Sequence, residues 1–149
     1  MYRLRKGGLQ VFLAHPGGPY NQHKDEGSWT IPKGGDEQGE RLLTAAIREF
    51  REETGLEPHG PYLELGDIRQ KSGKIVHAWA FAGDHEDGQP VHSNLFEMEW
   101  PPDSGRIQSF PEVDHAQFFP LAEAKNKLKK SQWPLVERLV EVLAKMPKS

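Results

Sequence analysis

Apolar positions along the chain change period several times, and each change marks an element. Residues 9–14, Leu-Gln-Val-Phe-Leu-Ala, form a short run rich in β-forming side chains and stopped by Pro16-Gly17-Gly18-Pro19. That pattern predicts a buried strand followed by a loop reaching about Trp29. Trp29-Thr30-Ile31 is expected to be a brief extended piece, because Pro32 disfavours helix in the residue before it and Gly34-Gly35 breaks the chain again. Over residues 40–54 the spacing becomes helical, with Leu43, Ala46, Ile47 and Phe50 on one side and Gly55 as the stop. Strands are expected at residues 62–65, at 74–83 in a central position, at 95–100 and at 117–119. A closing helix over 134–146 opens on Pro134 and buries Leu135, Leu139, Val142 and Leu143. The order is mixed α/β. Nothing repeats, and no linker divides residues 1–149, so one domain is expected to fill the chain.

Composition narrows the chemistry. With 149 residues, 36% hydrophobic and 28% charged, the chain suits one core with a well-solvated exterior. Its apolar runs fall far short of the ~20 residues a membrane span needs, and no signal-peptide pattern opens it, so a cytoplasmic location without a membrane partner is expected. Cysteine is absent, which excludes disulfides, thiolate metal sites and a thiol nucleophile. A net charge of −3 and the lack of a basic tail argue against a nucleic-acid polymer as principal partner, while a small phosphorylated ligand remains compatible. The seven histidines show no zinc-like spacing.

The informative stretch is the helix itself. Glu49, Glu52 and Glu53 stand at i, i+3 and i+4, where their side chains can converge beside the apolar face around Phe50. As a merely solvated face this is a poor design. Like charges one turn apart cost ~0.2–0.5 kcal/mol per pair and acids in a last turn oppose the helix dipole, an imbalance that Arg48 and Arg51 offset only in part. A divalent cation reverses the sign, since clustered carboxylates supply the oxygen ligands that magnesium or manganese prefers.

Gly34, Glu40, Arg48, Glu49, Phe50, Glu52, Glu53, Gly55 and Leu56 fill every fixed position of G-x5-E-x7-R-E-U-x-E-E-x-G-U, where U is bulky and apolar. The stretch thereby resembles the box of the Nudix hydrolase family, and the order of elements around it is similar to the whole Nudix domain. The resemblance implies an α/β/α sandwich with a mixed β-sheet, and an enzyme that cleaves a pyrophosphate bond of a nucleoside diphosphate derivative by attack of metal-activated water on phosphorus.

It also implies roles. Glu49 and Glu53 become metal ligands, Glu52 a ligand or a group that helps deprotonate water, and the backbone carbonyl of Lys33 a further ligand. Gly34 lets the main chain turn toward the ion, Glu40 supports the site, and Arg48 orients a carboxylate. The ion is expected to be Mg2+, with Mn2+ as substitute. Family members often take the general base from a loop after the box, a place that Glu112 fits, with Glu97, Glu99 and Asp114 as alternatives. Trp29 through Gly34 is similar to the W-x-x-P-K-G approach of dinucleoside polyphosphate hydrolases, which makes Trp29 a base platform or a packing residue and Lys33 a phosphate cation. Two other readings share the box: a pyrophosphatase that removes oxidised or non-standard nucleoside triphosphates, and a non-catalytic nucleotide-binding module.

Overall fold

The computed structural model describes residues 1–32 and 41–147. Lys33, Gly34 and Glu40 therefore lie outside the described residues.

β1 (Tyr2–Arg5) and β2 (Gly8–Pro16) pair antiparallel with Tyr2 opposite Val11. On its other edge β2 pairs antiparallel with β7 (Val113–Pro120), Val11 opposite Phe119. β3 (Leu63–Arg69) and β4 (Ile75–Ala80) form a second antiparallel pair. The chain leaving β4 then runs parallel beside β1, since Tyr2 N–H donates to the Phe81 carbonyl and Gly83 N–H to the Tyr2 carbonyl, each at 3.0 Å. That link gives the expected mixed arrangement in the order β3-β4-β1-β2-β7, with the stretch around β4 inside the sheet, between β3 and β1, rather than at its centre. β5 (Leu95–Glu99) and β6 (Ile107–Pro111) make a separate hairpin.

Period two explains the layers. Along β2, Val11 and Leu13 point into a core cluster with Leu135, Val136 and Leu139 of α3 (Trp133–Lys145), whereas Phe12 and Ala14 point into one with Phe50 of α1 (Leu42–Thr54). β7 repeats the division, with Phe119 on the α3 side and Ala116 and Phe118 on the α1 side. A strand buried on both faces needs an uninterrupted apolar run, which is what residues 11–14 supply. Phe50 holds α1 to the sheet through Phe81 and Phe12, at ring-centroid distances of 5.0 and 6.5 Å. No helix among the described residues is long and apolar enough to cross a membrane.

Three elements go beyond the sequence pattern. β1 has only two apolar residues, and Arg3 replaces a third by turning inward, its guanidinium 4.1 Å from the Phe118 ring centre while it pairs with Asp84 and Asp87. β6 is largely exposed and so carries no apolar alternation. α2 (Leu121–Lys127) is too short for a helical period and is fixed by Ala124, which is fully buried. A further shift concerns α1, whose buried residues are Ala45, Glu49, Phe50 and Thr54. Leu43, Ala46 and Ile47 instead border an apolar cavity of about 100 Å3 that Glu49 also lines.

Candidate functional site

The acids of α1 are graded in exposure, with Glu49 buried, Glu53 half-buried and Glu52 keeping 40% of its side chain exposed. Glu49 is buried, and its Oε1 together with Glu53 Oε2 is closed off from solvent. Burying carboxylate oxygens is costly unless cations or donors attend them. Arg48 provides part of that compensation, with Nη1 donating to Glu52 Oε2 at 2.9 Å and Nη2 lying 3.8 Å from Glu49 Oε1.

The end of the helix is built around Gly55. It takes the left-handed conformation at φ +75° and its N–H donates to the Arg51 carbonyl at 2.8 Å, closing the last turn. Thr54 Oγ1 donates to the Phe50 carbonyl and accepts from Leu56 N–H. A second demand on Gly55 comes from residues 92–94, which cross the helix end so closely that a Cβ there would lie 2.9 Å from the His92 carbonyl oxygen.

Those crossing residues connect the box to Glu112. Asn94 N–H donates to the Glu52 carbonyl at 2.8 Å, and Glu112 N–H donates to the Asn94 carbonyl at 2.9 Å. Ser93 Oγ strengthens the join by accepting from Val113 N–H and donating to the Val113 carbonyl. Two hydrogen-bonded steps of ~4.8 Å place the Glu112 backbone about 10 Å from that of Glu52. Glu112 itself is exposed, at the break between β6 and β7.

The alternative acids are placed differently. Asp114 Oδ1 lies 2.8 Å from His15 Nδ1, whose other ring nitrogen is 2.6 Å from the Lys24 carbonyl. Glu99 accepts from Asp103 N–H at 2.7 Å near the turn of the hairpin. Glu97 is exposed on β5, opposite Ser109.

Trp29 sits in the core cluster on the α3 side, only 7% exposed. Its ring meets Phe119, His15 and His115 edge-on at 4.9, 5.1 and 5.8 Å, and its indole N–H donates to Asp25 at 2.9 Å. These surroundings fit the packing role; neither face of the ring is open to a nucleobase. Lys127 and then the Trp29 indole hold the Asp25 carboxyl below the usual carboxylate range.

The donor set of α1 is all hard oxygen, which suits a divalent cation of the magnesium type. Among the described residues, no three His, Asp or Glu side chains stand close enough to hold an ion. Glu52 is drawn to Arg48, whose Nη1 donates to its Oε2. The donors fit a hard divalent cation in their chemistry and in their i, i+3, i+4 spacing on the helix.

Asn94 and Ser93 are the site-organising residues that sequence reasoning missed. They act through backbone groups and a single hydroxyl, which leave no spacing to recognise; a polar run ahead of a strand was the only available sign.

Comparison with known proteins identifies the family and the fold. The NUDIX domain family model matches residues 2–139. A segment of 28 residues is 64% identical to the RNA pyrophosphohydrolase of Agrobacterium fabrum (strain C58), covering 19% of this chain and 16% of that protein. Among solved structures, a C. elegans Ap4A hydrolase binary complex is similar over 97% of this chain and 95% of its own, with a TM-score of 0.63 and 20% identity. The E. coli ORF135 protein is similar over 99% and 90%, with a TM-score of 0.57 and 25% identity. With the family model spanning nearly the whole chain and the mixed sheet carrying the carboxylate helix, the protein belongs to the Nudix family, whose enzymes are hydrolases acting on pyrophosphate bonds.

Proposed function

We propose that this protein hydrolyses a pyrophosphate bond in a dinucleoside polyphosphate, with magnesium as its ion and manganese as a working substitute. The observation that supports the catalytic part is the backbone ladder from Glu52 through Asn94 to Glu112, which ties the metal-binding helix to an exposed acid on a separate loop. For the substrate, the support is the resemblance of residues 29–34 to the W-x-x-P-K-G approach. The C. elegans Ap4A hydrolase shares the fold.

Glu49, Glu52 and Glu53, with the Lys33 carbonyl, are the groups that hold magnesium, which when bound polarises water and neutralises phosphate charge. Glu112 accepts the proton of the attacking water as its oxygen bonds to phosphorus and the bridging P–O bond breaks. Arg48 keeps Glu52 oriented between turnovers. By the resemblance of residues 29–34 and of the box, Lys33 is the phosphate cation, and Gly34 and Glu40 are supporting residues of the site.

The test is a substrate panel of dinucleoside polyphosphates, nucleoside triphosphates including oxidised guanine forms, and nucleotide sugars, with products resolved. Dinucleoside polyphosphates are expected to give the highest kcat/KM. A preference for triphosphates would overturn the substrate while leaving pyrophosphate chemistry in place, because residues outside the box select what the phosphates carry. Binding without turnover would overturn the catalytic reading.

A further inference from the structure

We propose that Tyr20 and Trp100 form the stacking platform for the distal nucleoside of a dinucleoside polyphosphate, a subsite that rests on the function proposed above and extends it. Tyr20 is 60% exposed in the loop after β2, and its ring meets half-buried Trp100 edge-on with centroids 5.1 Å apart. With the ring planes 82° apart, the two side chains form a corner in which a nucleobase can stack on the face of one ring and meet the other edge-on.

The pair is held in place by the backbone. A Cβ on Gly17 would collide with the Pro111 carbonyl oxygen, and one on Gly18, at φ +94°, would lie 2.7 Å from the Phe96 ring. Asn21 closes the turn by donating its Nδ2–H to the Gly17 carbonyl at 2.9 Å and its N–H to the Gly18 carbonyl at 3.2 Å. Trp100 is fixed by its N–H to the Arg106 carbonyl at 2.9 Å and by Gln108 Nε2 donating to its carbonyl at 2.6 Å.

Position supplies the ligand. Gly17 N–H donates to the Glu112 carbonyl at 2.9 Å, so the loop begins beside the proposed base and follows the hairpin outward, Gly18 against Phe96 and Tyr20 against Trp100. Six residues of extended chain at ~3.3 Å each put Trp100 about 20 Å beyond Asn94, which is bonded to the end of α1. A reach of that length suits a substrate with a nucleoside at each end of its phosphate chain better than one whose single base follows its phosphates directly. Alternation along β5 places Phe96 and Met98 on one face and Glu97 and Glu99 on the other, so these acids point away from the aromatic side.

Two measurements test this. The first compares KM for a dinucleoside tetraphosphate and for a nucleoside triphosphate in Tyr20→Ala and Trp100→Ala, each checked by thermal melting. The second follows tryptophan fluorescence as a non-hydrolysable dinucleoside tetraphosphate is added to the wild type and to Trp100→Phe. The alanine variants are expected to raise KM for the dinucleoside roughly tenfold more than for the triphosphate, with Tyr20→Phe close to the wild type. Quenching is expected to shrink in Trp100→Phe. Equal KM changes for both substrates would overturn the platform even with dinucleoside turnover intact. Quenching that depends on Trp100 in a protein that does not cleave the dinucleoside would instead overturn the proposed function and leave the platform standing.

Discussion

Replacing Gly55 by alanine perturbs two things at once, and their sum can be worked from the structure. An L-residue in the left-handed region costs about 1–2 kcal/mol. Its Cβ would also lie 2.9 Å from the His92 carbonyl oxygen and 3.2 Å from the His92 Cβ, so residues 92–94 must move. Loosening either of the bonds they make to the helix end, His92 N–H to the Thr54 carbonyl or Asn94 N–H to the Glu52 carbonyl, adds about 0.5–1.5 kcal/mol. A total of about 1.5–3.5 kcal/mol corresponds to a Tm lower by roughly 3–14 °C for a chain of this length. The same movement pulls on Glu112 through Asn94, so kcat should fall further than loss of folded protein explains. The assay is a thermal melt paired with turnover at saturating magnesium well below the melt. Gly55→Asn separates the causes, since asparagine tolerates the left-handed region but carries the same Cβ. A variant with wild-type Tm, or one that is destabilised but turns over normally when folded, would refute the link between helix end and catalytic loop.

Millimolar magnesium is expected to raise Tm, because gathering mutually repelling carboxylates around a cation favours the folded state; an unchanged melt across a titration would contradict the ion site. Excess chelator should abolish turnover. Glu112→Gln should lower kcat by about tenfold or more at saturating metal. Asp114→Asn, which breaks the contact with His15, should show its main effect in Tm instead. Asp84 is held well below the usual carboxylate range by Arg5, then Arg3 and the His85 N–H. A carboxyl depressed in the fold contributes stability above its unfolded value of 3.8 and loses it as pH falls below that. Asp84→Asn should therefore lower Tm at pH 7, and the gap to the wild type should narrow in acid.

What was legible in the sequence was whatever a period or a spacing encodes. The doubly buried β2, the box helix with its glycine stop and the closing helix all repeat a side-chain type at a fixed interval. Residues 11–14 are buried on both faces of the sheet, and an uninterrupted apolar run is the only way to satisfy that. The orientation of α1 was less legible: Ala45 and Glu49 go inside while Leu43 and Ile47 border a cavity. β6 and the crossing residues 92–94 escaped notice because their bonds are made by backbone groups, which every residue carries. Trp29 illustrates the limit of residue type alone. Residue type leaves an aromatic such as Trp29 open to reading as a packing residue or a base platform, and its neighbours Phe119, His15 and Asp25 favour packing.

The central claim is that the carboxylates of α1 perform pyrophosphate hydrolysis, and Glu53→Gln tests it most directly because the substitution keeps shape and removes charge. The measurement is kcat on a dinucleoside tetraphosphate at saturating magnesium, alongside a melt that shows the variant folded. The account predicts a loss of about 100-fold or more with the fold intact. A folded Glu53→Gln protein that turns over at close to the wild-type rate would contradict it.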